Sequence, residues 1–185
     1  LLLDQGKVIY SGGVEESVIE YQKRGLTKAS YFHNGNLEDA LGNENIRILE
    51  FSVAPENGKL IDVDSGVKVK LKFFNNSPGI NLDTTFELRT FEEVVVFHVG
   101  QFISQNSDAR KGDYTVEFTV PAGMLNAGNY YFKVIFGKNQ SYALYSNENI
   151  VSFEVDNVKV GSKTHMFPGI MRPKFDYKIS WKMYK

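Results

Sequence analysis

The sequence contains no cysteine, which excludes disulfide bonds, thiol catalysis and cysteine-ligated zinc from this chain. It also contains no apolar run as long as the ~18 residues that suggest a membrane-spanning helix. An excess of either charge is missing too, because 21 basic residues accompany 22 acidic ones and the formal net charge is −1. A protein that grips nucleic acid needs a clear basic excess, so we expect no nucleic-acid partner.

Motifs of common enzymes are also absent. There is no phosphate-binding loop, no glycine-rich dinucleotide turn and no Ser-His-Asp order. The acidic pair Glu92-Glu93 is expected to be two charged residues of a turn. A catalytic carboxylate pair is not expected, because adjacent strand residues point in opposite directions and cannot flank one glycosidic bond. The three histidines lack the spacing of metal ligands: His33, His98 and His165. We therefore predict that this chain is not an enzyme and has no cofactor and no metal.

Aromatic residues are plentiful and are arranged as in β-strands. They make up 14% of the chain, and they favour pleated, half-buried surfaces. From Asn45 onward, polarity alternates with a period of two residues, and turn residues recur at intervals of about ten. In residues 66–74, four apolar side chains alternate with Lys68, Lys70 and Lys72, which predicts one buried face and a solvated lysine stripe. An anion-binding face is the alternative interpretation of the stripe.

The pattern predicts a mostly β fold, namely an immunoglobulin-like antiparallel β-sandwich. A short β-hairpin and one helix are expected before it. Residues 1–3 and 7–10 flank a loop that contains glycine, and apolar residues then recur at helical spacing over 14–21. The predicted strands of the sandwich are 47–53, 66–74, 82–91, 94–99, 113–120, 129–137, 141–146, 150–155 and one terminal strand.

The chain divides into three parts in this interpretation. Residues 1–25 are expected to be the end of an upstream domain, because a hairpin and one short helix cannot form a core of their own. Residues 26–44 show no sustained period and are predicted to be a linker. Residues 45–185 are predicted to be the sandwich, with a terminal strand at 174–184. The apolar face of this strand must be buried against this sandwich or a partner's, because exposing it to water is unfavourable. That face consists of Phe175, Tyr177, Ile179, Trp181 and Met183.

The opening of the sequence resembles the end of an ABC transporter ATPase domain. The residues that carry the resemblance are Leu3, Gly6, Lys7, Ile9, Gly12, Val18, Ile19 and Tyr21. Followed by a linker and a β-sandwich, this ending is similar to the Wzt family, the ATP-binding subunits of bacterial O-antigen polysaccharide exporters. The resemblance continues in Gly112-Asp113-Tyr114, Ala127-Gly128-Asn129-Tyr130-Tyr131-Phe132 and Phe153-Glu154-Val155. The nucleotide-binding motifs of the ATPase are absent from this chain.

The resemblance implies a carbohydrate-binding module that recognises the O-antigen polysaccharide for export and catalyses no reaction. It implies a cytoplasmic location at the inner face of the bacterial inner membrane, where the missing ATPase domain contacts the membrane subunit of the transporter. It also favours a homodimer that exchanges strand 174–184, and the alternative is a strand that folds back on its own sheet. The rival functions are a sandwich that only dimerises and, last, a glycan-processing enzyme.

Alternation predicts a carbohydrate site on the outer face of the sheet that holds strands 82–91 and 129–137. Sugars bind where planar hydrogen-bonding groups lie beside an aromatic platform. If the even-numbered residues of both strands face the core, the odd-numbered residues form such a surface. The predicted site residues are Glu87, Arg89, Phe91, Tyr131 and Lys133, with His98 and Tyr145 extending the surface. Ordinary solvated alternation is the alternative for any single one of them.

Overall fold

The computed structural model describes residues 2–4, 7–14, 17, 28–58, 60–156 and 177–183. Most of these residues lie in β-strands, and no helix of seven or more residues occurs among them. No helix in this described part is long and apolar enough to cross a membrane. The strands are β1 (Leu2–Asp4), β2 (Lys7–Tyr10), β3 (Ser30–Phe32), β4 (Leu41–Gly42), β5 (Ile46–Pro55), β6 (Val67–Asn75), β7 (Leu82–Thr90), β8 (Val95–Phe102), β9 (Gly112–Val120), β10 (Gly128–Lys138), β11 (Tyr142–Val155) and β12 (Lys178–Lys182).

The first two strands form the hairpin that the opening of the sequence predicts, with Leu3 opposite Val8. The helix predicted after this hairpin is not confirmed, because most of its residues lie outside the described part of the chain. One hydrogen bond of helical type is described there, from the amide of Ser17 to the carbonyl of Gly13 at 2.9 Å.

Two antiparallel sheets form a sandwich, as the alternating pattern predicts. The four-stranded sheet has the order β11–β10–β7–β8. The six-stranded sheet has the order β12–β9–β6–β5–β3, and β4 also pairs with β5. Each strand turns its apolar residues inward because alternate side chains point to opposite faces. The lysine stripe predicted on β6 accordingly lies on the outer face, where Lys70 pairs with Glu50 at 2.9 Å and Lys72 pairs with Asp113 at 3.3 Å.

Phenylalanine rings fill the space between the two sheets. The ring centroids of Phe86 and Phe118 lie 4.8 Å apart and those of Phe73 and Phe136 lie 4.7 Å apart, both edge to face across the core. Each fully buried ring stabilises the fold by about 1.5–3 kcal/mol. The largest fully buried side chains are Phe51, Phe73, Phe86, Phe97, Phe132, Phe136 and Phe153.

In each sheet, one buried tyrosine forms a hydrogen bond with the loop that precedes its own strand. In the six-stranded sheet the Tyr114 hydroxyl donates to the carbonyl of Arg110 at 3.1 Å and accepts from its amide at 2.8 Å. In the four-stranded sheet the Tyr130 hydroxyl donates to the carbonyl of Asn126 at 2.8 Å. Such a bond to the backbone a few residues upstream is typical of immunoglobulin-like sandwiches, where it is called a tyrosine corner.

The range predicted as a linker, 26–44, contributes two short strands to the six-stranded sheet. Both β3 and β4 pair with β5, and Ala40 just before β4 is buried. The amide of Leu41 also donates to the hydroxyl of Tyr31 at 3.2 Å. Strands of two and three residues are too short to show a period of two, so alternation does not reveal them. Where an upstream domain ends stays a prediction.

The strands predicted at 141–146 and 150–155 are a single long strand, β11. Its pairing with β10 shifts register between Tyr131 and Lys133, and Asn149 in the shifted part has a φ of 57°. Two steps along β10, from Tyr131 to Lys133, correspond to four along β11, from Ser152 to Glu148. This bulge interrupts the alternation locally, and the alternation resumes in the same phase without ending the strand. The polar run before Ile150 therefore has the sequence pattern of a turn but the structure of a bulge.

The terminal strand β12 lies within the predicted range 174–184 and pairs with the edge strand β9, with Trp181 opposite Tyr114. Its core-side face is only partly covered, since Ile179 is 38% exposed and Met183 is 64% exposed. Phe175, which the alternation places on the same face, lies outside the described residues. Whether this strand is exchanged between two chains stays a prediction.

Candidate functional site

Strand pairing brings most of the predicted site residues together on the outer face of the four-stranded sheet. Tyr131 lies opposite Arg89, and Lys133 lies opposite Glu87. Glu87 in turn lies opposite His98 on the edge strand β8. The residues between them face the core and are buried: Phe86, Leu88, Tyr130, Phe132, Val134 and Phe136.

A network of hydrogen bonds and ion pairs joins the polar members of this surface. The Arg89 guanidinium donates from Nε to Oε1 of Glu87 at 2.6 Å and from Nη1 to Oε2 of Glu93 at 3.0 Å. The Tyr131 hydroxyl donates to the same Glu93 oxygen at 2.7 Å. Nδ1 of His98 lies 2.9 Å from Oε2 of Glu87. We call this network, formed by Glu87, Arg89, Glu93, His98 and Tyr131, the Glu87 cluster.

The contacts within the cluster shift the pKa values of its two carboxylates and of its tyrosine. Burial by itself raises the pKa of Glu87, but the hydrogen bonds and charges of His98 and Arg89 outweigh burial, so its pKa is lowered. The hydrogen bond from Tyr131, followed by that from Arg89, lowers the pKa of Glu93. Burial and the hydrogen bond to Glu93 raise the pKa of Tyr131 to about 12. At neutral pH the cluster therefore holds two carboxylates, a guanidinium and a neutral phenol.

Two further predicted residues extend the cluster. The Phe91 ring lies 5.9 Å from the Tyr131 ring, tilted by 45°, and it adds a half-buried apolar surface. The Lys133 ammonium forms an ion pair with Glu148 on β11. Alternation does not identify Glu93, because this residue lies in the turn between β7 and β8 with a φ of 64°, where a period of two does not apply.

Tyr145 is not brought to this surface. It lies opposite Phe136 in the β10–β11 pair, and the two ring centroids are 6.3 Å apart. Because Phe136 is buried in the core, Tyr145 lies on the core side of the sheet. Its hydroxyl accepts a hydrogen bond from Nδ2 of Asn147 at 2.8 Å. The sequence analysis expects Tyr145 to extend the outer surface, whereas the pairing of β11 with β10 turns its ring inward.

A shallow open groove of about 380 Å³ continues the outer face beyond His98. Its floor includes two glycines in the interiors of strands. A Cβ atom on Gly100 would lie 2.9 Å from Oγ1 of Thr85, and one on Gly137 would collide with the carboxylate of Asp83. Glycine inside a strand commonly marks a place where something approaches the backbone closely. We call this feature the Asp83 groove, and its lining includes Asp83, His98, Gly100, Ile135, Gly137 and Tyr142.

Asp83 and Tyr142 give the groove its chemical character. Asp83 is only 4% exposed, and its Oδ2 accepts a hydrogen bond from the amide of Gln140 at 2.6 Å. Burial raises the pKa of Asp83, and the hydrogen bond from Gln140 only partly offsets this. Tyr142, at the start of β11, is 70% exposed. Sequence analysis missed these residues, because Gly100 lies just after the predicted strand 94–99 and Gly137 ends the predicted strand 129–137, where glycine has the pattern of a turn.

The described part of the chain contains no group of three or more side chains able to hold a metal ion. No protein-family model and no curated protein matches the sequence. Among solved structures, the chain matches the C-terminal domain of Wzt with a TM-score of 0.53, covering 77% of this chain and 92% of that one. The chain has the fold of the Wzt C-terminal domain. At 12% sequence identity the likeness concerns the fold alone, and it confirms the predicted β-sandwich.

Proposed function

We propose that this Wzt-like sandwich is a non-catalytic carbohydrate-binding module that recognises an O-antigen polysaccharide for an ABC exporter. The observation that carries the proposal is the outer face of the four-stranded sheet. There the Glu87 cluster, an aromatic pair and the Asp83 groove form one continuous surface. The fold shared with the C-terminal domain of Wzt supports the same function.

The chemistry of this surface suits a sugar chain. A pyranose presents hydroxyl groups at its edge and a weakly apolar face, and it needs polar groups beside aromatic rings. The half-buried Phe91 supplies a ring face next to the charged groups of Arg89 and Glu87, and it packs on the Tyr131 ring, which is only 4% exposed. Because ion pairs already hold these side chains in place, little side-chain freedom is lost on binding.

The open shape of the surface suggests modest affinity. A net hydrogen bond contributes only about 0.5–1.5 kcal/mol, so a few such bonds correspond to dissociation constants of roughly micromolar to millimolar. Calorimetric titration of the protein with O-polysaccharides of different structure tests the proposal. We expect saturable binding of some of these polymers. Failure to bind any of them would contradict the proposed function.

The alternative is a sandwich that only dimerises and binds no glycan. The internal pairing of the Glu87 cluster favours this alternative, because a network that satisfies its own charges also occurs on ordinary protein surfaces. The same titration separates the two functions. In the favoured proposal the module works in the cytoplasm at the inner face of the inner membrane, attached to an ATPase domain that contacts the membrane subunit of the exporter.

We also propose that two copies associate by exchanging the terminal strand 174–184. Within one chain, β12 adds to the edge of the six-stranded sheet and leaves Ile179 and Met183 substantially exposed. A second subunit that donates and accepts this strand offers more cover for its apolar face. The homodimer thus rests on the incomplete burial of β12.

A further inference from the structure

The two halves of the outer face differ in what they leave for a ligand. In the Glu87 cluster, both oxygens of Glu87 have partners, and Glu93 accepts from Arg89 and Tyr131. In the Asp83 groove, by contrast, the glycine floor leaves an open depression next to a carboxylate. His98 belongs to both halves, since it lines the groove and contacts Glu87. The groove is therefore the part of the face with room for a ligand.

Asp83 connects the floor of the groove to its wall. Its carboxylate accepts a hydrogen bond from the amide of Gln140. Gln140 follows Asn139 in the tight turn between β10 and β11. Both turn residues have positive φ, 59° for Asn139 and 52° for Gln140. Tyr142 begins the strand after this turn. Asp83 thus lines the groove and also contacts the β10–β11 turn, which is followed by the exposed ring of Tyr142.

The charge of the groove limits what it can hold. Among the described residues that line it, Asp83 is the only acidic one and none is Lys or Arg. His98 also lines the groove, and its Nδ1 contacts Oε2 of Glu87 in the Glu87 cluster. A carboxylate only accepts hydrogen bonds, so the ligand must supply donors such as hydroxyl groups. A second carboxylate or a phosphate brought next to it would be repelled.

The size of the groove limits the ligand as well. Its volume of about 380 Å³ lies near the lower end of the roughly 300–1,000 Å³ found for ligand pockets. This space suits one or two sugar rings and not a long stretch of polymer. The exposed Tyr142 ring offers a platform for a ring face, as aromatic side chains do in general.

From this geometry we infer that the Asp83 groove holds an uncharged pyranose of the polysaccharide and excludes sugars that carry a carboxylate or a phosphate. The sugar hydroxyls donate to Asp83, and the ring face packs on Tyr142. The inference rests on the proposed function, because it takes the ligand to be a glycan. It adds the class of sugar and the residues that select it.

An array of bacterial O-polysaccharides of known structure, both neutral and acidic, tests the selectivity with the intact chain. We expect binding to neutral polymers and little or none to polymers whose repeats carry uronic acid or phosphate. Binding of acidic polymers that equals or exceeds binding of neutral ones overturns the inference and leaves the proposed function in place. An array without any binding overturns both.

Substitutions in the groove test its role with the polymer that binds best on the array. Asp83→Asn keeps an oxygen for the amide of Gln140 and removes the charge, and Tyr142→Ala removes an exposed ring with little risk to folding. We expect each to weaken binding about tenfold. Asp83→Asn removes an ionised acceptor, whose hydrogen bonds are roughly twice as strong as neutral ones, and Tyr142→Ala removes the aromatic platform. Gly100→Ala raises the floor of the groove and should have a similar effect.

Matched controls lie on the outer face of the six-stranded sheet. Asp113→Asn and Phe32→Ala repeat the loss of a carboxylate and of an exposed ring outside the groove. We expect these controls to bind like the parent protein. If Asp83→Asn and Tyr142→Ala also bind like the parent, with unchanged circular dichroism, the sugar lies elsewhere on the face and the inference is wrong.

Discussion

Glu87 is a buried carboxylate on the outer face of a sheet, and Arg89 is one of the two groups that pair with it. Arg89→Ala leaves this charge partly unpaired, which we expect to lower the free energy of unfolding by about 1–3 kcal/mol. The same change should weaken glycan binding about tenfold, because it removes a charged donor from the proposed surface. Urea denaturation and calorimetric titration measure the two effects.

Lys70→Ala is the control for this prediction. Lys70 forms an exposed ion pair with Glu50 on the other sheet, and such pairs contribute only about 0–1 kcal/mol. We expect the free energy of unfolding and the glycan affinity of Lys70→Ala to stay close to those of the parent protein. Unchanged binding by both Arg89→Ala and Tyr131→Ala, in folded proteins, would show that the glycan does not depend on the Glu87 cluster.

Asp83 and Glu87 predict opposite dependences of stability on pH. Burial raises the folded-state pKa of Asp83, so the charged carboxylate destabilises the fold and the penalty disappears as the pH falls. Asp83→Asn should therefore be at least as stable as the parent at pH 7. Its advantage should shrink toward about pH 3, below the ordinary pKa of aspartate. Chemical denaturation at the two pH values measures the difference.

Glu87→Gln should behave in the opposite way. The partners of Glu87 lower its folded-state pKa, so its charge stabilises the fold above the unfolded-state pKa. That contribution is lost as the pH falls through the folded-state pKa. The parent should exceed Glu87→Gln in stability at pH 7, and the gap should narrow toward about pH 3. A gap that widens on acidification would contradict this assignment of the pKa direction.

At the scale of elements, the contact between β9 and β12 depends on Gly112. This glycine has a φ of 146°, and a Cβ atom there would lie 2.8 Å from the carbonyl oxygen of Lys182 and 3.1 Å from Nε1 of Trp181. Gly112→Ala should therefore cost about 1–3 kcal/mol through backbone strain. It should also push β12 away from the sheet.

Trp181 reports this displacement because it is the only tryptophan in the chain. Its ring packs below the guanidinium of Arg110, 5.2 Å from the ring centroid, at the edge of the core. We expect Gly112→Ala to shift the emission of Trp181 to longer wavelength and to lower the midpoint of thermal unfolding. Gly58→Ala is the control, since a Cβ atom there meets nothing within 4 Å although its φ is also positive. Equal emission in the two variants would show that β12 does not depend on Gly112.

At the scale of the whole molecule, the proposed exchange of strand 174–184 predicts a dimer in solution. A segment as long as 157–176 is able to reach a neighbouring subunit, because an extended chain spans about 3.3–3.6 Å per residue. Light scattering should give the mass of two chains for residues 1–185. A version that ends at Asp156 should be monomeric, since it lacks the exchanged strand. If residues 1–185 are monomeric at micromolar concentration, the exchange is refuted.

The sequence by itself determined the class of fold and which faces of the long strands are buried. Alternation in β6, β7 and β10 assigns Leu71, Phe86 and Phe132 to the core, and the structure buries all three. It also assigns Arg89 and Lys133 to the outer face, where their pairing partners are found. These assignments are possible because successive side chains of a strand point to opposite faces wherever the strand lies in the fold. The apolar residues of an alternating segment therefore identify its buried face.

Only the tertiary structure decided which of these residues meet and what surface they form. Register with β10 places Tyr145 opposite Phe136, on the core side of the sheet. Glu93 joins the Glu87 cluster from a turn, and Asp83 lies in a groove with Gly100 and Gly137 from neighbouring strands. Register, bulges and turn conformation arise from pairing between distant segments, which the period of a single strand does not contain.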